Sequence, residues 1–135
     1  MRALILPLAA AALASCSANL GPPEPPSPQA QARLQQLIAG RSAGPAVSCL
    51  PPGRSSDMTV VGDGTVVFRS GNTVYVNDMR GGCPNLRSHY ALVTRQFGGG
   101  GLCSGEIAEV IDPASGISVS SCSFGEFVPY RRVGG

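Results

Sequence analysis

Met58-Thr-Val-Val-Gly-Asp-Gly-Thr-Val-Val-Phe-Arg-Ser-Gly-Asn-Thr-Val-Tyr-Val-Asn-Asp-Met79 is the stretch that decides the fold. Short β-branched runs alternate with glycine pairs, the signature of antiparallel strands joined by tight turns. Met58–Val61 and Thr65–Arg69 flank Gly62-Asp63-Gly64, where glycine supplies positive φ at no steric cost. Thr65–Ser70 and Thr73–Met79 flank Gly71-Asn72, a two-residue turn of the kind hairpins prefer. That turn pairs Ser70 with Thr73, so Phe68 faces Tyr75 and Val67 faces Val76. Aromatics meet on one side of the ribbon and valines on the other, which predicts cover over both faces.

Towards the C-terminus the same texture continues through Tyr90–Arg95, Glu106–Asp112, Ile117–Phe124 and Phe127–Tyr130. Pro113-Ala114-Ser115-Gly116 reads as a turn; pairing Asp112 with Ile117 across it puts Val110 opposite Val119. The reading is a mainly β fold: a small antiparallel barrel or sandwich of about seven short strands, with one helix before it.

Upstream, Gln29–Ala39 is rich in helix formers, with Leu34, Leu37 and Ile38 at i, i+3 and i+4 and Gly40 placed to end the run. A helix over 30–39 is expected to pack by that narrow stripe, and the β domain to begin at about residue 47. Gly21-Pro-Pro-Glu-Pro-Pro-Ser-Pro28 marks residues 16–29 as a semi-rigid proline tether. Before it come Met1-Arg2, an apolar run from Ala3 to Leu13 broken by Pro7, and Leu13-Ala14-Ser15-Cys16. The run is shorter than the ~20 residues a membrane span needs. A charged start, a short apolar core and small residues before the cut make residues 1–15 an export signal. Its last four residues match a bacterial lipobox, which makes Cys16 the lipidation site and attaches the chain to a membrane by its N-terminal lipid. Ser17 follows the cysteine in place of an aspartate, which directs the expectation to the outer membrane, facing the periplasm.

With residues 1–15 removed from 135, 120 remain, enough for a single globular domain, placed at 30–132. All ten basic residues are arginine, so lysine-dependent phosphate loops and Schiff bases are excluded. Charge is nearly balanced, and nucleic acid is not an expected partner. Once Cys16 is acylated, Cys49, Cys83, Cys103 and Cys122 remain, an even count that reads as two disulfides in an exported chain. Three pairings are open and the sequence does not choose among them. The expectation leans to Cys83–Cys103, clipping one strand-bearing segment, with Cys49–Cys122 tying the domain's start to its end.

Val47-Ser48-Cys49-Leu50, Thr73-Val-Tyr-Val-Asn77, Cys83-Pro-Asn-Leu86, Leu102-Cys-Ser-Gly-Glu106 and Ser121-Cys-Ser-Phe-Gly-Glu-Phe-Val-Pro-Tyr130 together resemble a family of small proteobacterial lipoproteins known only as a domain of unknown function. The likeness covers residues 40–132 and rests on the four-cysteine frame. That family often carries aspartate where this chain has Glu106. The resemblance implies an envelope location and no activity.

Gly101-Leu-Cys-Ser-Gly105 imitates a nucleophile elbow, but Glu106–Asp112 after it reads as a strand and His89 is the chain's one histidine. Phe97-Gly-Gly-Gly-Gly101 lacks the Lys-Ser/Thr and helix of a phosphate loop. The cysteines lie too far apart for a zinc site or a redox pair, so no metal and no cofactor is expected. The acids, Asp57, Asp63, Asp78, Glu106, Glu109, Asp112 and Glu126, are scattered; Asp63 and Asp78 sit at strand ends as solvated turn residues do, and Glu109 and Glu126, on expected strands, could converge but have no cleft to unite them. Arg131-Arg132 form a charged end open to lipid phosphate or an acidic partner. No catalytic residue is assigned. The sequence points to a non-catalytic binding or structural module of the envelope, with a periplasmic protein or cell-wall component as partner. The alternatives are an inhibitor-like module presenting the Gly98–Gly101 loop to a wall hydrolase, and a small hydrolase built on His89.

Overall fold

The structure, a computed structural model, describes residues 25–54, 57–62, 64–95 and 100–134. The expected signal, Cys16, most of the tether, Asp63 and the first half of the Gly98–Gly101 loop lie outside these residues. The described chain runs α1 (Pro28–Ile38), β1 (Arg41–Ala43), β2 (Met58–Gly62), β3 (Thr65–Ser70), β4 (Thr73–Asp78), β5 (Ala91–Thr94), β6 (Ile107–Ile111), β7 (Ser118–Ser123) and β8 (Phe127–Arg132). The strands form two antiparallel sheets, ordered β1-β8-β4-β3-β2 and β5-β6-β7, and do not close into a barrel.

Phe68 pairs with Tyr75 and Val67 with Val76, the register that the Gly71-Asn72 turn dictates. Phe68 and Tyr75 join Val66, Phe127, Ala108, Val110, Phe124 and Leu102 in the main core, to which both sheets contribute. Val67, Val74 and Val76 face the other way and are covered by Ala30, with Leu34, Leu37 and Ile38 of α1 packed alongside. Three layers result: a helix, a five-stranded sheet and a three-stranded sheet. The central β4 alternates between both cores, which is why it carries no charge before Asp78.

Three local expectations are corrected. α1 begins at Pro28, not residue 30, because Ser27 accepts the N–H of Ala30 as an N-cap and proline suits the first helical turn. An eighth strand, β1, precedes the expected start of the β domain; it pairs Arg41 with Arg132 and Ala43 with Tyr130. Val110 faces Ser120 rather than Val119, because a bulge between Val110 and Ile111 skips Val119 and leaves it exposed.

Proline inside β8 removes a donor from a strand with neighbours on both sides. Phe127 exchanges backbone bonds with Val47, so alternate residues of β8, Pro129 included, address that flank. There residues 44–46 leave the ladder, and the Pro129 carbonyl still accepts the Gly44 N–H at 2.7 Å.

Both disulfides form, but the expected pairing is wrong: the bonds are Cys49–Cys103 and Cys83–Cys122. Leu50 N–H to Leu102 O and Ser104 N–H to Ser48 O lay the first segment antiparallel to the second, bringing Cys49 to Cys103. Arg80 pairs with Ser123 in the same way, and Ser120 Oγ donates to Pro84 O, which sets Cys83 beside Cys122 on β7. Neither expected bond could form without undoing these pairings.

Candidate binding surfaces

At one end of the five-stranded sheet, the β2–β3 connection, the end of β4 and the start of β8 come together. Asn77, fully buried, donates Nδ2 to Gly125 O at 2.8 Å and to Glu126 O at 3.2 Å, and accepts Gly125 N–H at 3.2 Å. Gly125 lies so close that an added Cβ would sit 2.2 Å from Asp78 O. The N-terminal turn of α1 lies over this end, with Ala30 against Gly62. Two adjoining open grooves flank it. One, about 780 Å³, runs between residues 25–28 and 81–87. The other, about 390 Å³, is lined by Arg33, Val60, Arg87 and His89 among others.

At the opposite end of the same sheet, β1, β8 and the β3–β4 turn converge. Arg41 of β1 pairs with Arg132 of β8, and Arg131 pairs with Thr73. Arg69 faces Val74, which faces Tyr130, so Arg69, Arg41 and Arg132 share the helix-side face while Arg131 projects from the other. Arg41 reaches across to donate to Asn72 O at 2.5 Å. Among the described residues no carboxylate pairs with any of the four, and the side chains of Arg69, Arg131 and Arg132 hold no hydrogen bond. Sequence reasoning found Arg131-Arg132 and missed the other two. Sheet order brings Arg41 and Arg69 to them, and nothing local in the sequence announces that order.

A third surface is the outer face of the small sheet. Val93, Ile107 and Val119 are exposed there, Ile107 by 66 %, around Glu109 and Ser121.

The residues singled out for chemistry are not brought together. Cys103 is bonded to Cys49, and the residues after it enter a strand, so the elbow motif is a stapled turn. Glu106 accepts the Cys103 N–H at 2.6 Å and closes that turn. His89 packs against Tyr90, ring centroids 4.4 Å apart and planes tilted by 38°, with no carboxylate to orient it among the described residues. Glu109 lies on the outer face of the small sheet and Glu126 precedes β8 of the large one. Asp78 accepts the Thr65 hydroxyl, and Asp112 accepts Ala114 N–H and Ser115 Oγ–H, holding the 113–116 turn. Among the described residues no group of three or more His, Cys, Asp or Glu is arranged for a metal, and no helix is long and apolar enough to cross a membrane.

Compared with family models, curated proteins and solved structures, the chain matches none of them.

Proposed function

We propose that this is an envelope lipoprotein, acylated at Cys16, whose β domain is a non-catalytic binding module on the periplasmic side of the outer membrane. The lipobox at Leu13–Cys16 and the resemblance of the four-cysteine frame to small proteobacterial lipoproteins support the location. One observation carries the binding role. The chain enters the domain over the end of the sheet that holds Asn77 and Gly125, and at the other end stand four arginines that no carboxylate among the described residues pairs with. The strand between them, Phe127 to Arg132, is about 17 Å long at ~3.4 Å per residue. With α1 starting at Pro28, the proline-rich tether is left with residues 16–27, a contour of about 34 Å at ~3.1 Å per residue, and it joins the domain at the end of the sheet opposite the arginines.

The test has two parts. Cys16→Ser in the full chain is expected to move the protein out of the membrane fraction extracted by detergent. A photo-crosslinking residue replacing exposed Ser42, beside Arg131, is expected to trap a macromolecule in intact cells, while one replacing Asn85 traps less. Membrane attachment unchanged by the Cys16 substitution would remove the anchor. Absence of any adduct from either position would remove the binding role.

A further inference from the structure

We infer that the arginine end is a docking surface for a carboxylate-bearing polymer of the cell wall. This rests on the binding-module reading above and names its partner.

Arg41 and Arg132 stand directly opposite each other in an antiparallel pair, an arrangement of like charges that costs stability on its own. Arg69 adds a third guanidinium to that face and Arg131 a fourth at its rim. Among the described residues no acidic side chain forms an ion pair with any of the four; Asp57, whose carbonyl accepts the Arg69 N–H, stands at the cluster's edge. An external anion set between these forks supplies what the fold withholds, since a planar guanidinium binds a carboxylate through two parallel hydrogen bonds.

The shape of the surface narrows the partner. None of the four arginines lines either groove; they are spread across three strands and both faces at an open end. An open array reads charge repeated along a chain, whereas a single small ligand needs an enclosing pocket. The placement narrows it further. The described chain enters at residues 25–28, at the far end of the sheet, so the arginines stand at the end opposite the side from which the proposed lipid anchor arrives. Many lipid-anchored copies meeting a repeating polymer gain by multivalency, so modest single contacts suffice.

The experiment uses the acylated full-length chain in neutral detergent micelles, pelleted with purified insoluble wall sacculi. The wild-type chain is expected to co-pellet at low salt and to be released as salt shortens the screening length. Arg131→Gln/Arg132→Gln is expected to weaken co-pelleting about tenfold, the sum of two exposed ion pairs, and Arg69→Gln about threefold. Arg33→Gln/Arg87→Gln, at the tether end, should leave it unchanged. Failure of the wild-type chain to pellet, or equal pelleting of the Arg131/Arg132 variant, overturns the proposal. Phosphatidylglycerol doped into the micelles should not displace the sacculi; displacement would reassign the arginines to lipid phosphate and overturn the wall assignment. Should pelleting fail while the Ser42 adduct persists, the polymer is wrong and the binding module stands. Loss of both removes the module as well.

Discussion

Replacing Asn77 by aspartate changes one amide to a carboxyl of nearly the same size, so it tests hydrogen bonding with little change in packing. Asn77 is the one buried polar side chain among the described residues, and its three bonds to Gly125 and Glu126 hold the start of β8 against the end of β4. Aspartate keeps the acceptor for Gly125 N–H and loses the donor to two carbonyls. Leaving buried groups unpaired costs about 1–3 kcal/mol each, and a charge facing two carbonyls adds to that. At pH 7.5 the expected loss is at least ~3 kcal/mol, a large part of the ~5–15 kcal/mol of a typical domain. At ~4–8 °C per kcal/mol the melting temperature falls by at least ~12 °C. The loss depends on pH. Burial and the two acceptor carbonyls favour the protonated carboxyl, so its folded pKa lies above the unfolded value of ~3.9. Below ~3.9 both states hold the proton and no charge is buried. As pH rises from there through the folded pKa, the unfolded state binds fewer protons and stability falls. Melts of wild type and variant by circular dichroism at pH 4 and 7.5, without reductant, should therefore differ less at pH 4. A gap that is independent of pH, or wider in acid, would refute the assignment of Asn77 as donor to those carbonyls.

Two further predictions come from the packing. Limiting reductant followed by alkylation and peptide mapping should label Cys49 and Cys103 before Cys83 and Cys122, because Cys49 is exposed while Cys83 and Cys122 are only 4 % and 8 % exposed; equal labelling would show that access does not set the order. Gly125→Ala should lower the urea midpoint by the equivalent of about 2–4 kcal/mol, since its Cβ would overlap Asp78 O at 2.2 Å, whereas Gly100→Ala, with open space around it, should change the midpoint little.

What was legible in the sequence was whatever a short turn decides. Gly71-Asn72 fixes the pairing of its own flanking strands, and from that register the two-sided burial of β3 and β4 follows without knowledge of any other element. Errors began where a residue's neighbour is chosen by something distant. Arg41-Ser-Ala43 has no β-branched residue and becomes a strand only because β8 offers it an open edge. Counting across the 113–116 turn sets Val119 opposite Val110, and a bulge the sequence does not announce moves it out of that pair. The cysteines carry no pairing information of their own; Leu50–Leu102 and Arg80–Ser123 backbone bonds select their partners. The candidate site divided on the same line: Arg131-Arg132 are adjacent in sequence, whereas Arg41 and Arg69 join them through a strand order that only the folded sheet defines.

β8 connects these findings mechanically. Its first residues are fixed by Val47, Asn77 and the packed Gly125, and its last two are the arginines of the proposed docking end. A strand of six residues has a side-chain period of two, so a slip of one residue at Phe127 would exchange the faces of Arg131 and Arg132 and break the match of Arg132 with Arg41. The buried polar contact at one end of the sheet therefore sets the presentation of charge at the other. On this account a substitution at Asn77 that spares the fold but loosens β8 would weaken wall binding without touching an arginine. Arg69, carried by β3, would keep its place while the arginines of β8 lose theirs.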